Sequence, residues 1–146
     1  MEYARSVLGM ADAGHAEYGG AGTALITQVA CAVPGADGPA LFGSQAIRLE
    51  PGTRIAAACG ATALREPFQC SYQVNPRFQP ALARAGLRIS GWSADGEARA
   101  VELPERRFFI ASLFLPQHNS TPNRPHPLIC AFIEAAAAFR DTRAAA

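Results

Sequence analysis

The sequence predicts an α/β domain with a mixed sheet rich in strands, and three observations carry that reading. Apolar runs of strand length recur between Pro, Gly and Asn turn signals. Asp95-Gly96 sits between two such runs, as in a tight hairpin. Apolar residues at helical spacing mark both ends of the chain and a stretch near its middle. At 146 residues, 49% of them hydrophobic, the chain has the size and composition of a single domain with a real core.

The elements follow in order. Tyr3, Val7 and Leu8 share one helical face, but Met1 supplies no N-cap and no strand precedes it, so this reads as a helix entered in its middle. Small and polar residues over 12–22 predict a loop. Residues 24–33 predict a strand closed by Pro34-Gly35, and residues 45–49 a second one ending at Pro51-Gly52. A short helical turn is expected over 53–59, then a single strand over 68–74 stopped by Asn75-Pro76. Phe78, Leu82 and Ala85 place a helix over 77–85, with Gly86 as its C-terminal cap. Leu87, Ile89 and Gly91 alternate with polar positions ahead of Asp95-Gly96, and residues 98–103 return as the second arm of a hairpin. The almost wholly apolar run 108–114 predicts a strand buried on both faces. The last helix, 127–140, carries Leu128, Phe132, Ala135, Ala136 and Phe139 on one face that could cover a sheet.

Composition narrows the function. The net charge is +1, with acidic and basic residues scattered, so neither nucleic acid nor an anionic membrane finds an electrostatic footprint. The apolar stretches are too short to cross a bilayer and no leader pattern opens the chain, so a cytoplasmic protein is expected. Cys31, Cys59, Cys70 and Cys130 lack CxxC spacing; free thiols are expected, with no metal and no cofactor.

Several segments, in order, resemble one family. They are Glu2-Tyr3-Ala4-Arg5 with Val7-Leu8-Gly9, Ala16-Glu17-Tyr18, Tyr72-Gln73-Val74-Asn75, and Ala85-Gly86-Leu87-Arg88-Ile89-Ser90-Gly91. Phe114-Leu115-Pro116-Gln117, Ser120-Thr121-Pro122 and His126-Pro127-Leu128 complete the set. Together they resemble the class I glutamine amidotransferase domain at the C-terminus of CTP synthase, along nearly the whole chain. Pro116-Gln117 where that family has Pro-Glu, and a cysteine ahead of Tyr72, resemble more closely the stand-alone proteins related to that C-terminal region, some of them selenoproteins.

The resemblance implies a flavodoxin-like, three-layer amidotransferase fold with a mixed sheet, of which residues 1–146 form a single domain lacking the N-terminal part. It implies chemistry in which a cysteine thiolate attacks the amide, a histidine moves the proton and a carboxylate orients the histidine. The nucleophile turn lies just upstream of the helix that here begins the chain. The histidine and glutamate positions hold Leu115, which cannot accept a proton, and Gln117, which carries no charge. Gln69 falls where an arginine would grip the substrate carboxylate, and Glu17 matches a glutamate that contacts bound glutamine.

The function expected from these residues is a degenerate glutamine amidotransferase-like domain without glutaminase activity. It would bind a glutamine-like small ligand or a protein partner, with Glu17, Gln69, Tyr72 and His118 as ligand-site candidates. The alternative is an active amidotransferase or hydrolase with rebuilt chemistry. Its nucleophile would be Cys70, activated by His118, or would lie in a missing upstream half. The bland reading of Cys70 is an inert packing residue, and that of His118 a solvated loop side chain. His126 reads as a helix-start residue, and His15 receives no role. A homo-oligomer or a protein partner is expected to complete the sheet through the strand near 108–114 or the helix near 1–8.

Overall fold

The computed structural model describes residues 1–19, 22–28, 42–69 and 72–144. Helix α1 (Glu2–Val7) leads into a two-residue strand β1 (Gly14–His15), a 3-10 turn (Ala16–Tyr18) and β2 (Ala24–Gln28). Next come β3 (Gly43–Leu49), α2 (Arg54–Cys59), β4 (Ala63–Phe68), β5 (Tyr72–Val74), a second 3-10 turn (Pro76–Phe78) and α3 (Gln79–Arg84). The hairpin β6 (Arg88–Ser93) and β7 (Ala98–Glu102) is followed by β8 (Ile110–Ser112), a third 3-10 turn (Pro116–Asn119) and α4 (Pro127–Ala144).

Among the described residues the strands form two sheets. One has the order β1-β2-β5, with β1 parallel and β5 antiparallel to β2. The other, β4-β3-β6-β7-β8, is antiparallel throughout. Alternation along β7 sends its side chains into two separate cores. Ala100 packs with Ile47, Leu49, Ile55, Phe114 and Leu128. Val101, with Leu103 just beyond the strand, faces Ala4, Leu25, Leu82 and Leu87. The central hairpin is therefore the wall between the cores, and the two sheets meet across it.

Local chemistry fixes the short helices. Thr53 caps α2 by accepting from the Ala56 N–H at 3.3 Å. Beneath the same end, the buried Glu102 carboxylate accepts from the N–H groups of Arg54 (3.0 Å) and Ile55 (3.4 Å). A negative charge belongs at that end of a helix. Gly86, at φ +101°, ends α3 as the sequence predicts. A Cβ on Gly22 would fall 2.4 Å from the Asp12 carbonyl oxygen, so only glycine fits there.

That turn also yields a pH prediction. The Asp12 carboxylate accepts from the Thr23 hydroxyl (2.7 Å) and N–H (3.0 Å). The hydroxyl first, then the N–H, holds its pKa below the ordinary 3.8. A folded-state pKa lowered in this way contributes stability above the ordinary value, and the contribution disappears as the pH falls through the folded value. Asp12→Asn should therefore flatten the acid side of the stability profile, read as urea midpoints from about pH 5 down to about pH 2.

Four expectations are corrected. The single strand over 68–74 is two strands in different sheets: Phe68 ends β4, which pairs along β3 from Gly43↔Phe68 to Arg48↔Ala63, and Tyr72 begins β5. β4 was hidden because Arg65, Glu66 and Pro67 break any apolar run, and an edge strand tolerates its proline. The run 108–114 is not buried on both faces. Only Ile110–Ser112 is strand, it lies at the sheet edge, and Phe109 is 41% exposed. The loop over 12–22 contains β1 and a 3-10 turn. The last helix buries Leu128 alone of its predicted apolar face. Phe132 is exposed and meets the Phe108 ring edge-on at 5.8 Å, while the Arg107 guanidinium lies 4.3 Å from the centre of the exposed Phe139 ring. The strand over 24–33 is seen as far as Gln28, and its remainder lies outside the described residues. No helix among the described residues is long and apolar enough to cross a membrane.

Candidate ligand site

A cavity of about 350 Å³ lies between β5 and the β7–β8 pair, lined by His15, Tyr72, Gln73, Arg99, Ser112 and Leu113 among others. His15 organises one rim. Its Nδ1 accepts from the Glu17 N–H at 3.2 Å, and its ring packs 4.5 Å from that of Tyr72 and 5.3 Å from that of Tyr18. The Glu17 carboxylate, about half exposed, stands 3.9 Å from the same nitrogen. Two predicted ligand residues, Glu17 and Tyr72, are thus joined through a histidine to which sequence reasoning gave no role. The spacing His15-x-Glu17 at the start of a 3-10 turn was the available signal.

The floor is polar in two places. Arg99 is buried and ion-paired with the buried Glu97. Its Nε, and the Oε1 of the buried Gln73, have no hydrogen-bond partner among the described residues. A buried donor and a buried acceptor left without partners are costly.

The other predicted residues lie elsewhere. Gln69 is exposed just after β4, and neither it nor His118 lines the cavity. Cys70 lies outside the described residues. Leu115 is half-buried, with its N–H donating to the Pro67 carbonyl at 2.8 Å, and Gln117 and His118 are exposed on the following 3-10 turn.

Behind that turn lies a buried network that sequence reasoning missed. The Glu66 carboxylate accepts from His126 Nε2 at 3.0 Å and from Asn119 Nδ2 at 2.9 Å. The Leu128 N–H donates to His126 Nδ1 at 3.1 Å, which places the ring proton on Nε2, facing Glu66. The His126 N–H itself donates to Ser120 Oγ at 3.0 Å. With Cys59 nearby, the residue types are those of a nucleophile, a base and a carboxylate, but the arrangement is structural. Both ring nitrogens are occupied. Burial first, and then the charge of Glu66, pushes the Cys59 thiol above its ordinary pKa, which keeps it protonated and unreactive. Among the described residues, no group of three or more His, Cys, Asp or Glu side chains is placed to hold a metal.

No protein-family model matches the chain. Its sequence is 34% identical over 140 residues to a CTP synthase of Pyrobaculum calidifontis, covering 93% of this chain and 26% of that protein. Its fold is similar to the glutaminase domain of Trypanosoma brucei CTPS, solved with bound acivicin. The TM-score is 0.82 at 30% identity, covering 93% of this chain and 55% of that one. The chain thus spans about a quarter of the length of the curated relative.

Proposed function

This chain is a glutaminase-like domain of the CTP synthase type, with the class I glutamine amidotransferase fold, and from that premise we propose that it binds a glutamine-like ligand without hydrolysing it. The observation that carries the reading is the contrast between two parts of the molecule. The segment from Leu115 to Gln117 presents an aliphatic side chain and a neutral amide, neither able to shuttle a proton. By contrast, His15 and Tyr72 line the cavity and pack together, with the half-exposed Glu17 carboxylate next to His15 though not itself in the cavity wall. A carboxylate beside an aromatic pair suits an ammonium-bearing ligand, since Glu17 can accept from the amine while Tyr72 covers the chain of the ligand. That the solved relative holds acivicin at 30% identity supports the ligand class.

Titration calorimetry with glutamine tests this, together with an ammonia assay. Saturable binding should appear, weakened about tenfold in Glu17→Ala, a loss of about 1.4 kcal/mol. No ammonia should be released above the buffer control. Ammonia release that stops on alkylation of Cys70 would replace this reading with a rebuilt enzyme, and the absence of any glutamine binding would end it. A second polypeptide completing the sheet is part of the same proposal.

A further inference from the structure

We propose that the exposed face of α4 docks an acidic, amphipathic helical segment of another protein, held by arginines that lie against exposed phenylalanine rings. This face is separate from the ligand reading. α4 packs on α2 and on the 3-10 turn at 116–119, and none of the α4, loop or α2 residues named below lines the ligand cavity.

Helical spacing sets the apolar part of the face. Phe132, Ala136 and Phe139 lie four and three residues apart, on one side of the helix. The two rings are 55% and 42% exposed, and Ala136 is exposed between them. Its short side chain leaves a notch between the rings. From Phe132 to Arg143 the face runs about 16 Å, or three turns.

The charge on this face is one-sided. The Arg107 guanidinium lies over the Phe139 ring at 4.3 Å and that of Arg143 at 5.9 Å, while Arg54 lies 6.0 Å from the Phe108 ring that Phe132 meets edge-on. None of these three arginines is ion-paired among the described residues. At 3.6 residues per turn, Glu134 and Asp141 fall on the opposite side of α4 from Phe132, and Asp141 is taken up by Arg140. In the neighbouring loop Arg106 and Arg107 outnumber Glu105. The phenylalanines therefore sit in a positive surround whose helical acids are turned to the rear.

That surround selects the occupant. A guanidinium laid on a ring keeps its in-plane N–H groups for a carboxylate, and the ring fixes the direction in which they point. Glutamates or aspartates of the partner pair with Arg107 and Arg143, and one apolar side chain enters the notch at Ala136. A helix offers no open backbone edge, so the partner meets α4 side chain to side chain, as a second helix does. A second copy of this chain does not suit the face, because it would set arginine against arginine. A bilayer does not suit it either, since two rings separated by an alanine give little apolar surface to insert.

The test uses the whole chain and two labelled synthetic helices of equal length. One has leucine at i, i+4 and i+7 with glutamate on both flanks, and the other has lysine in place of every glutamate. Fluorescence anisotropy should show saturable binding of the acidic helix with a dissociation constant of about 1–100 μM, and at least about tenfold weaker binding of the lysine helix. Raising salt from about 0.05 to about 0.5 M should weaken the acidic helix at least about tenfold. Arg107→Glu and Phe139→Ala alter exposed side chains, so each should keep the parent's thermal unfolding transition and weaken binding at least about tenfold. Glu134→Gln, on the rear of the helix, should leave binding unchanged. No binding of the acidic helix up to about 1 mM, equal affinity for the two helices, or indifference to both face variants would overturn the proposal. So would tighter binding to phosphatidylserine vesicles or oligo-dT than to the acidic helix, or a sedimenting dimer that both face variants dissolve.

Discussion

Phe114→Ala should destabilise the chain by about 3–5 kcal/mol, the cost of deleting a buried aromatic side chain and leaving part of its volume empty. Phe114 is 1% exposed, the largest of the fully buried side chains, and is surrounded by Ile47, Leu49, Ile55 and Leu128 from three different elements. None of these can close the gap alone, because each is held by its own strand or helix. Domains of this size have total stabilities of about 5–15 kcal/mol, so the loss removes a large share. Urea unfolding followed by circular dichroism measures it. Phe132→Ala is the control: that ring is 55% exposed, and its loss should cost less than about 1 kcal/mol. Equal effects from the two would mean that the core has been wrongly placed.

Glu66→Ala should cost about 2–4 kcal/mol. The carboxylate is 4% exposed and accepts from both His126 and Asn119. Alanine would leave the buried His126 Nε2 without its acceptor, while the exposed Asn119 keeps its bond to the Arg65 carbonyl (3.2 Å). The same variant offers a readout that a general loss of packing would not give. Since the Glu66 charge helps to raise the Cys59 thiol pKa, its removal should lower that pKa and speed alkylation of Cys59 by iodoacetamide under native conditions. A slower or unchanged rate in a folded variant would mean that Glu66 does not act on the thiol.

Much of the architecture was legible because local signals agreed with the final packing. Asp95-Gly96 and Gly86 stand where the predicted turn and helix end occur, and the helical turn expected over 53–59 is present as α2. The signal failed where long-range pairing decides. β4 has a charged, proline-bearing sequence and is a strand only because β3 offers it a full antiparallel register. The apolar run at 108–114 resembled a buried strand, but burial depends on how many neighbours a strand has, and among the described residues β8 has one. At the site, Glu17 and Tyr72 were named through family resemblance; the His15-x-Glu17 spacing is the local signal for His15, and its packing on Tyr72 exists only once β1 and β5 flank β2. Glu66 and His126 lie 60 residues apart, so no sequence window contains their pairing.

The carboxylate of Glu102 beneath α2 also bears on the order of folding. A helix of six residues does not persist in water, because the cost of its first turn is never recovered over so few bonds. Thr53 is a local aid, but Glu102 is 48 residues away from Arg54 and reaches α2 only when β7 is in place. The hairpin of β6 and β7 is local and can form early, whereas α2, though earlier in the chain, must wait for it. In refolding followed by pulsed hydrogen exchange, the amides of Arg54 and Ile55 would then gain protection with those of β7, and not ahead of them.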